Sequence, residues 1–169
     1  MGTSAQPRPA PGYVQPTAPP WSVLALLPRP FWPWLKNYFA YAASELPLAA
    51  SETATLSTQI STDAWFVMLA CTMVMLDTNN TTLIASRPCT VQIYDTSAGM
   101  NLFSQAIHAD EFFGDAGAPG YMAFPYIWKP GGTIQTTLVS LDTVNGRNVR
   151  LTYHGFKANP NLREDAYPT

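Results

Sequence analysis

Few residues in this chain have the types and spacing that do chemistry. The densest group is His108-Ala109-Asp110-Glu111, an imidazole beside two carboxylates that could suit a metal or an acid–base pair. At a strand end, however, adjacent side chains point to opposite faces, so Asp110 and Glu111 cannot both serve one ion without a bend. The group reads as a solvated turn. The second histidine, His154, falls on the polar side of an alternating segment and reads as a hydrogen-bonded surface residue. Cys71 and Cys89 stand 18 positions apart with no CxxC and no Cys/His cluster. They read as two small buried hydrophobes, with a disulfide between two β-segments as the alternative.

No GxSxG, HExxH, P-loop, GxGxxG or EF-hand pattern occurs. The glycines of residues 114–120 precede neither a lysine nor a helix start, so they do not form a phosphate cradle. Asn79-Asn80-Thr81 fits the N-glycosylation pattern, which is short enough to arise by chance. The expectation is a protein with no catalytic residue, no metal and no cofactor, and not an enzyme.

The composition narrows the partners. Charged residues are 12% of the chain against 47% hydrophobic, so solvating surface is scarce and protein contacts are expected to cover much of it. A formal charge of -2 gives no electrostatic reason to bind nucleic acid or an anionic membrane. The longest apolar stretch, residues 64–76, is too short to cross a bilayer as a helix. The short apolar run at residues 23–27 follows a proline-rich leader, lacks a basic start and stops at Pro28, so no secretory signal is expected.

Nine of the sixteen prolines fall at positions 7, 9, 11, 16, 19, 20, 28, 30 and 33. Proline has no N–H and biases its predecessor to extended geometry, so residues 1–20 read as a solvated, polyproline-like arm. Residues 21–41 are different: Trp21, Phe31, Trp32, Trp34 and Tyr38 are among many large apolar side chains that would be costly to leave in water. They must be buried on their own domain, on a neighbouring protein, or at a membrane surface. The last is disfavoured because only Arg29 and Lys36 are basic there. A short helix is expected over residues 34–43, with Pro33 at its first turn.

From residue 46 the pattern is that of a β-domain. Residues 53–60 alternate, residues 65–76 are an almost unbroken apolar run suited to a central strand, and residues 77–80 form a turn. Strands are expected at 90–95, 100–108, 121–128, 133–141 and 148–156, with Thr96-Ser97-Ala98-Gly99 and Asn145-Gly146 as hairpin turns. Short strands at this spacing, without long helices between them, predict an antiparallel β-sandwich of jelly-roll or immunoglobulin-like topology. The organisation is thus an arm over residues 1–45, a sandwich over 46–157 and a C-terminal extension over 158–169.

Two stretches, Phe124-Pro125-Tyr126-Ile127-Trp128-Lys129-Pro130-Gly131-Gly132-Thr133-Ile134 and Val149-Arg150-Leu151-Thr152-Tyr153-His154-Gly155-Phe156-Lys157, resemble small structural proteins of tailed-bacteriophage virions. That group includes capsid decoration (cement) proteins and head-to-tail components, and the resemblance covers roughly the last third of the chain. It implies a β-sandwich in the virion that binds the major capsid protein or other virion proteins, as a homo-oligomer, with no catalytic residues to carry over. The arm lies outside the resemblance but suits a tether: at about 3.1 Å per residue, twenty polyproline-like residues reach about 60 Å. Its partner-binding residues would be Trp21, Phe31, Trp32, Trp34 and Tyr38. Two further readings are a neck, collar or tail-completion protein, and a carbohydrate-binding module with Trp65, Trp128, Tyr121 and Tyr126 as an aromatic platform.

Overall fold

The computed structural model describes residues 35–43, 45–115 and 118–158. The strands, in chain order, are β1 (Leu35–Ala42), β2 (Leu46–Leu48), β3 (Thr53–Gln59), β4 (Trp65–Leu76), β5 (Cys89–Asp95), β6 (Met100–Asn101) and β7 (Ile107–His108). A single-turn helix α1 (Ala109–Phe112) precedes β8 (Gly120–Trp128), β9 (Thr133–Ser140) and β10 (Arg147–Ala158). All pairings between these strands are antiparallel, and they build two sheets, as the alternation of the sequence predicts.

In the first sheet β1 and β2 lie end to end along β10, followed by β4 and β8; in the second, β3, β9 and β5 are followed by β6 and β7 along the far side of β5. Taking each broken edge as one strand, the pairings nest. The first strand pairs with the last, β3 with β9, β4 with β8, and β5 with its own hairpin partner. Every other connection crosses from one sheet to the other. Between the sheets lies one core, with Phe66, Met68, Met73, Trp128, Leu151 and Tyr153 from the first and Leu56, Val91, Ile93, Ile134 and Leu138 from the second. Within it the Tyr153 and Thr136 hydroxyls bond across the sheets at 2.6 Å.

Three local expectations are corrected. Residues 35–42 are a strand rather than a helix, so the first sheet takes in chain that the sequence reading assigned to the arm. Aromatic residues favour the pleated, half-buried surface. Here Tyr41 turns inward to meet Phe66 edge-on at 4.8 Å, while Tyr38 takes the opposite face. Asn145-Gly146 does not close a hairpin, because β9 and β10 belong to different sheets. The crossing is instead held by Asp142, which accepts from the Val144 and Asn145 N–H groups at 2.9 Å each and from Arg147 at 2.7 Å.

The expected strand over residues 100–108 survives only as β6 and β7. Residues 102–106 lie opposite just two residues of β5, Gln92 and Ile93, so after Leu102, whose N–H donates to the Ile93 carbonyl at 2.8 Å, the chain bows away from the ladder. The Gln92 side chain donates to the Phe103 carbonyl at 2.8 Å in its place. The turn at Thr96–Gly99 is a true hairpin, with Gly99 at φ +69, a conformation glycine adopts without strain.

Candidate assembly surface

Both histidines, Asp110 and both cysteines are engaged by their own fold. His108 caps α1, its Nδ1 accepting from the Asp110 N–H at 3.3 Å. Asp110 in turn receives Arg87 Nη1 at 2.8 Å, so this cluster clips the approach to β5 onto the helix. Cys71 and Cys89 are free thiols in the common core, in β4 and β5 of opposite sheets. Burial pushes both thiols up, Cys89 to about 11, which leaves them protonated and poorly nucleophilic at neutral pH. Among the described residues no three His, Cys, Asp or Glu side chains are grouped to hold a metal.

One buried carboxylate was not anticipated. Asp95, 1% exposed, accepts from Ser97 N at 2.8 Å, Ser97 Oγ at 2.6 Å, Ala98 N at 3.2 Å and Tyr126 Oη at 2.9 Å. Three of these donors belong to its own hairpin and the fourth reaches from β8 in the other sheet. Asp before a Ser/Thr/Gly turn is a signal for such side-chain-to-backbone bonding, and only the Tyr126 bond needed the tertiary structure.

His154 links the edge strand to the centre of the first sheet. Its Nδ1 lies 2.7 Å from Tyr38 Oη in β1 and its Nε2 3.0 Å from Thr72 Oγ1 in β4. A neutral imidazole satisfies both hydroxyls by accepting at one nitrogen and donating at the other. Tyr38 also stacks on the ring at 6.3 Å and meets Phe156 edge-on at 5.8 Å. Burial lowers the His154 pKa below its usual 6.5. The folded protein therefore binds this proton less readily than the unfolded chain, and stability present above about pH 6.5 declines as the pH falls through the folded value. His154→Gln is expected to flatten that decline, measured as denaturation midpoint against pH between about 7 and 5. A wild-type and variant that weaken in parallel would refute the assignment.

Tyr38 and His154 stand on the outer face of the first sheet, where β4 sets buried apolar side chains beside Thr72. Trp65, Val67, Leu69 and Ala70 of β4 are 6%, 0%, 1% and 2% exposed, yet none belongs to the core between the sheets. Leu35 pairs with Ala158, which pairs with Trp65, so the chain enters the sheet level with the start of this face and two strands away from it. Of the residues expected to bind a partner, only Tyr38 falls in the described part, where it packs on β10. Trp21, Phe31, Trp32 and Trp34 lie outside it.

The family models, the curated proteins and the solved structures contain no match to this chain.

The aromatic platform expected of a carbohydrate-binding module is not assembled. Trp128 is 0% exposed and Trp65 6%, and the Tyr126 hydroxyl is taken by Asp95, which leaves Tyr121 as the exposed member of the four.

Proposed function

We propose that this chain is a virion structural protein of the decoration or cement kind, bridging capsid subunits through its sandwich and its N-terminal arm. The sandwich is read as a jelly roll, with the first edge strand, β4, β8 and β10 in one sheet and β3, β5, the β6–β7 edge and β9 in the other. An immunoglobulin-like chain keeps its first two strands side by side in one sheet, whereas here they sit in opposite sheets. Jelly rolls serve capsids, lectins and small-molecule-binding barrels alike, so fold alone does not choose among them.

The observation that carries the choice is where the arm joins. In the sequence a proline- and tryptophan-rich segment immediately precedes edge strand β1, which pairs with β10 at the border of the first sheet. An arm rooted at a sheet edge reaches a neighbour without disturbing the core, and the two contacts together bind far more tightly than either alone. The resemblance to phage virion proteins, which spans β8, β9 and β10, supports the same reading.

Removing residues 1–34 spares β1. The shortened protein is expected to keep its sheet circular-dichroism spectrum and to bind purified particles at least about tenfold more weakly, since tethering commonly contributes that much or more. Equal binding by the two forms would overturn the tether. Copy number per particle distinguishes a lattice-wide cement protein from a neck or collar ring.

A further inference from the structure

Sheet edges expose unpaired N–H and C=O groups, and proteins protect them with prolines, charges, bulges or brevity. Three of the four edges here are protected in these ways. β1 has a register shift and is followed by the three-residue β2. β8 carries Pro125 and meets β4 through a register shift. β6 and β7 are two residues each. The fourth edge, β3, is different. Its seven residues, Thr53-Ala54-Thr55-Leu56-Ser57-Thr58-Gln59, contain no charge and no proline, and they pair with β9 in one unbroken register.

The flanking bonds fix which groups face outward. Ser140 N donates to Glu52 O at 2.8 Å and Ile60 N to Gly132 O at 2.8 Å, so the even-numbered residues bond to β9. In an antiparallel ladder the bonding direction alternates. Thr53, Thr55, Ser57 and Gln59 therefore turn their backbone groups to the side away from β9, where none of the described strands pairs with β3, and their side chains are all exposed.

We propose that β3 is a self-association edge, pairing antiparallel with β3 of a second copy about a two-fold axis at Leu56. The sequence is self-complementary in that register. Thr53 stands opposite Gln59, Thr55 opposite Ser57, and Leu56 opposite itself. The four outward N–H and four outward C=O groups of each copy then meet partners, because odd residues face odd residues. On the outer face Thr55 and Ser57 form a hydroxyl pair of the kind that stabilises neighbouring strands, with no like charges brought together. On the inner face Leu56 meets Leu56 and Ala54 meets Thr58, which continues the apolar side of the second sheet from one copy into the next. Such an isologous contact closes at two copies. It does not depend on the virion reading, since it is measurable on the purified protein alone.

The test is the solution mass of the full chain by sedimentation, against 18.5 kDa for one copy. A dimer is expected. Ser57→Pro removes an outward donor while leaving the β9 ladder intact, and Thr55→Lys/Ser57→Lys sets positive charges against each other across the axis. Each variant is expected to weaken dimerisation at least about tenfold with its sheet spectrum unchanged. The lysine pair keeps the test open should the proline variant fail to fold. A monomeric wild type, or a dimer that survives the lysine pair, overturns the proposal. So does a dimer lost on removal of residues 1–34, which would assign the contact to that segment instead.

Discussion

Gly155→Ala is expected to cost about 3 kcal/mol or more, the upper range for forcing extra atoms into a packed interior. Strand β10 is the spine of the first sheet, paired on one side with β1 and β2 and on the other with β4 along its whole length. Between His154 and Gly155 its register against β4 shifts, His154 facing Ala70 and Gly155 facing Met68, so Leu69 is the extra residue of a bulge. A methyl group on Gly155 would fall inside the Val67 carbonyl, 2.8 Å from the carbonyl carbon and 3.0 Å from Met68 Cα. All three are backbone atoms of β4, which β8 holds from its other side, so no flexible side chain can move aside. Gly146→Ala is the internal control. The nearest atom there is a Thr78 methyl at 3.2 Å, at the end of a side chain that can rotate, and a change within about 1 kcal/mol is expected. Urea unfolding of both variants measures the difference. A Gly155→Ala protein as stable as wild type would mean that β4 and β10 do not meet through this bulge.

That glycine also marks the limit of what the sequence made legible. The alternation of Val149, Leu151 and Tyr153 with Arg150, Thr152 and His154 predicted which side of β10 meets the core, and those three apolar residues are buried. Alternation is a local property of a pleated strand and survives any arrangement of the strands around it. The apolar run 65–76 likewise announced a central strand, and β4 has partners on both sides. Where the next strand goes is not local. Asn145-Gly146 reports that the chain reverses, but the same reversal can close a hairpin or arch between sheets. The choice rests on Asp142 and Arg147 and on the core beneath them. The aromatic crowding of Tyr38, Phe39 and Tyr41 was visible, but its meaning as an edge strand depended on His154 and Phe66 lying far along the chain. Asp95 was legible as a turn residue, whereas its bond to Tyr126 across the sandwich was not.

Trp128→Ala is expected to destabilise the protein by about 3–5 kcal/mol, as removal of a fully buried large aromatic does. Trp128 ends β8 opposite Phe66, is 0% exposed, and lies 4.9 Å ring to ring from Tyr126, whose hydroxyl holds Asp95. Its loss would open a cavity between the sheets and loosen the hydroxyl-to-carboxylate bond that joins the β5 hairpin to β8. Trp128→Phe isolates the contribution of shape. The indole N–H has no hydrogen-bond partner among the described residues, so replacing indole by phenyl removes volume but leaves no newly unpaired group. About 1–2 kcal/mol is expected for that smaller change, less than half the alanine effect. The comparison also separates a core residue from a binding one. A core tryptophan loses stability in the order alanine, then phenylalanine. A ligand platform would lose glycan binding with its melting temperature unchanged, and that outcome would overturn the burial of Trp128 together with the virion reading built upon the sandwich.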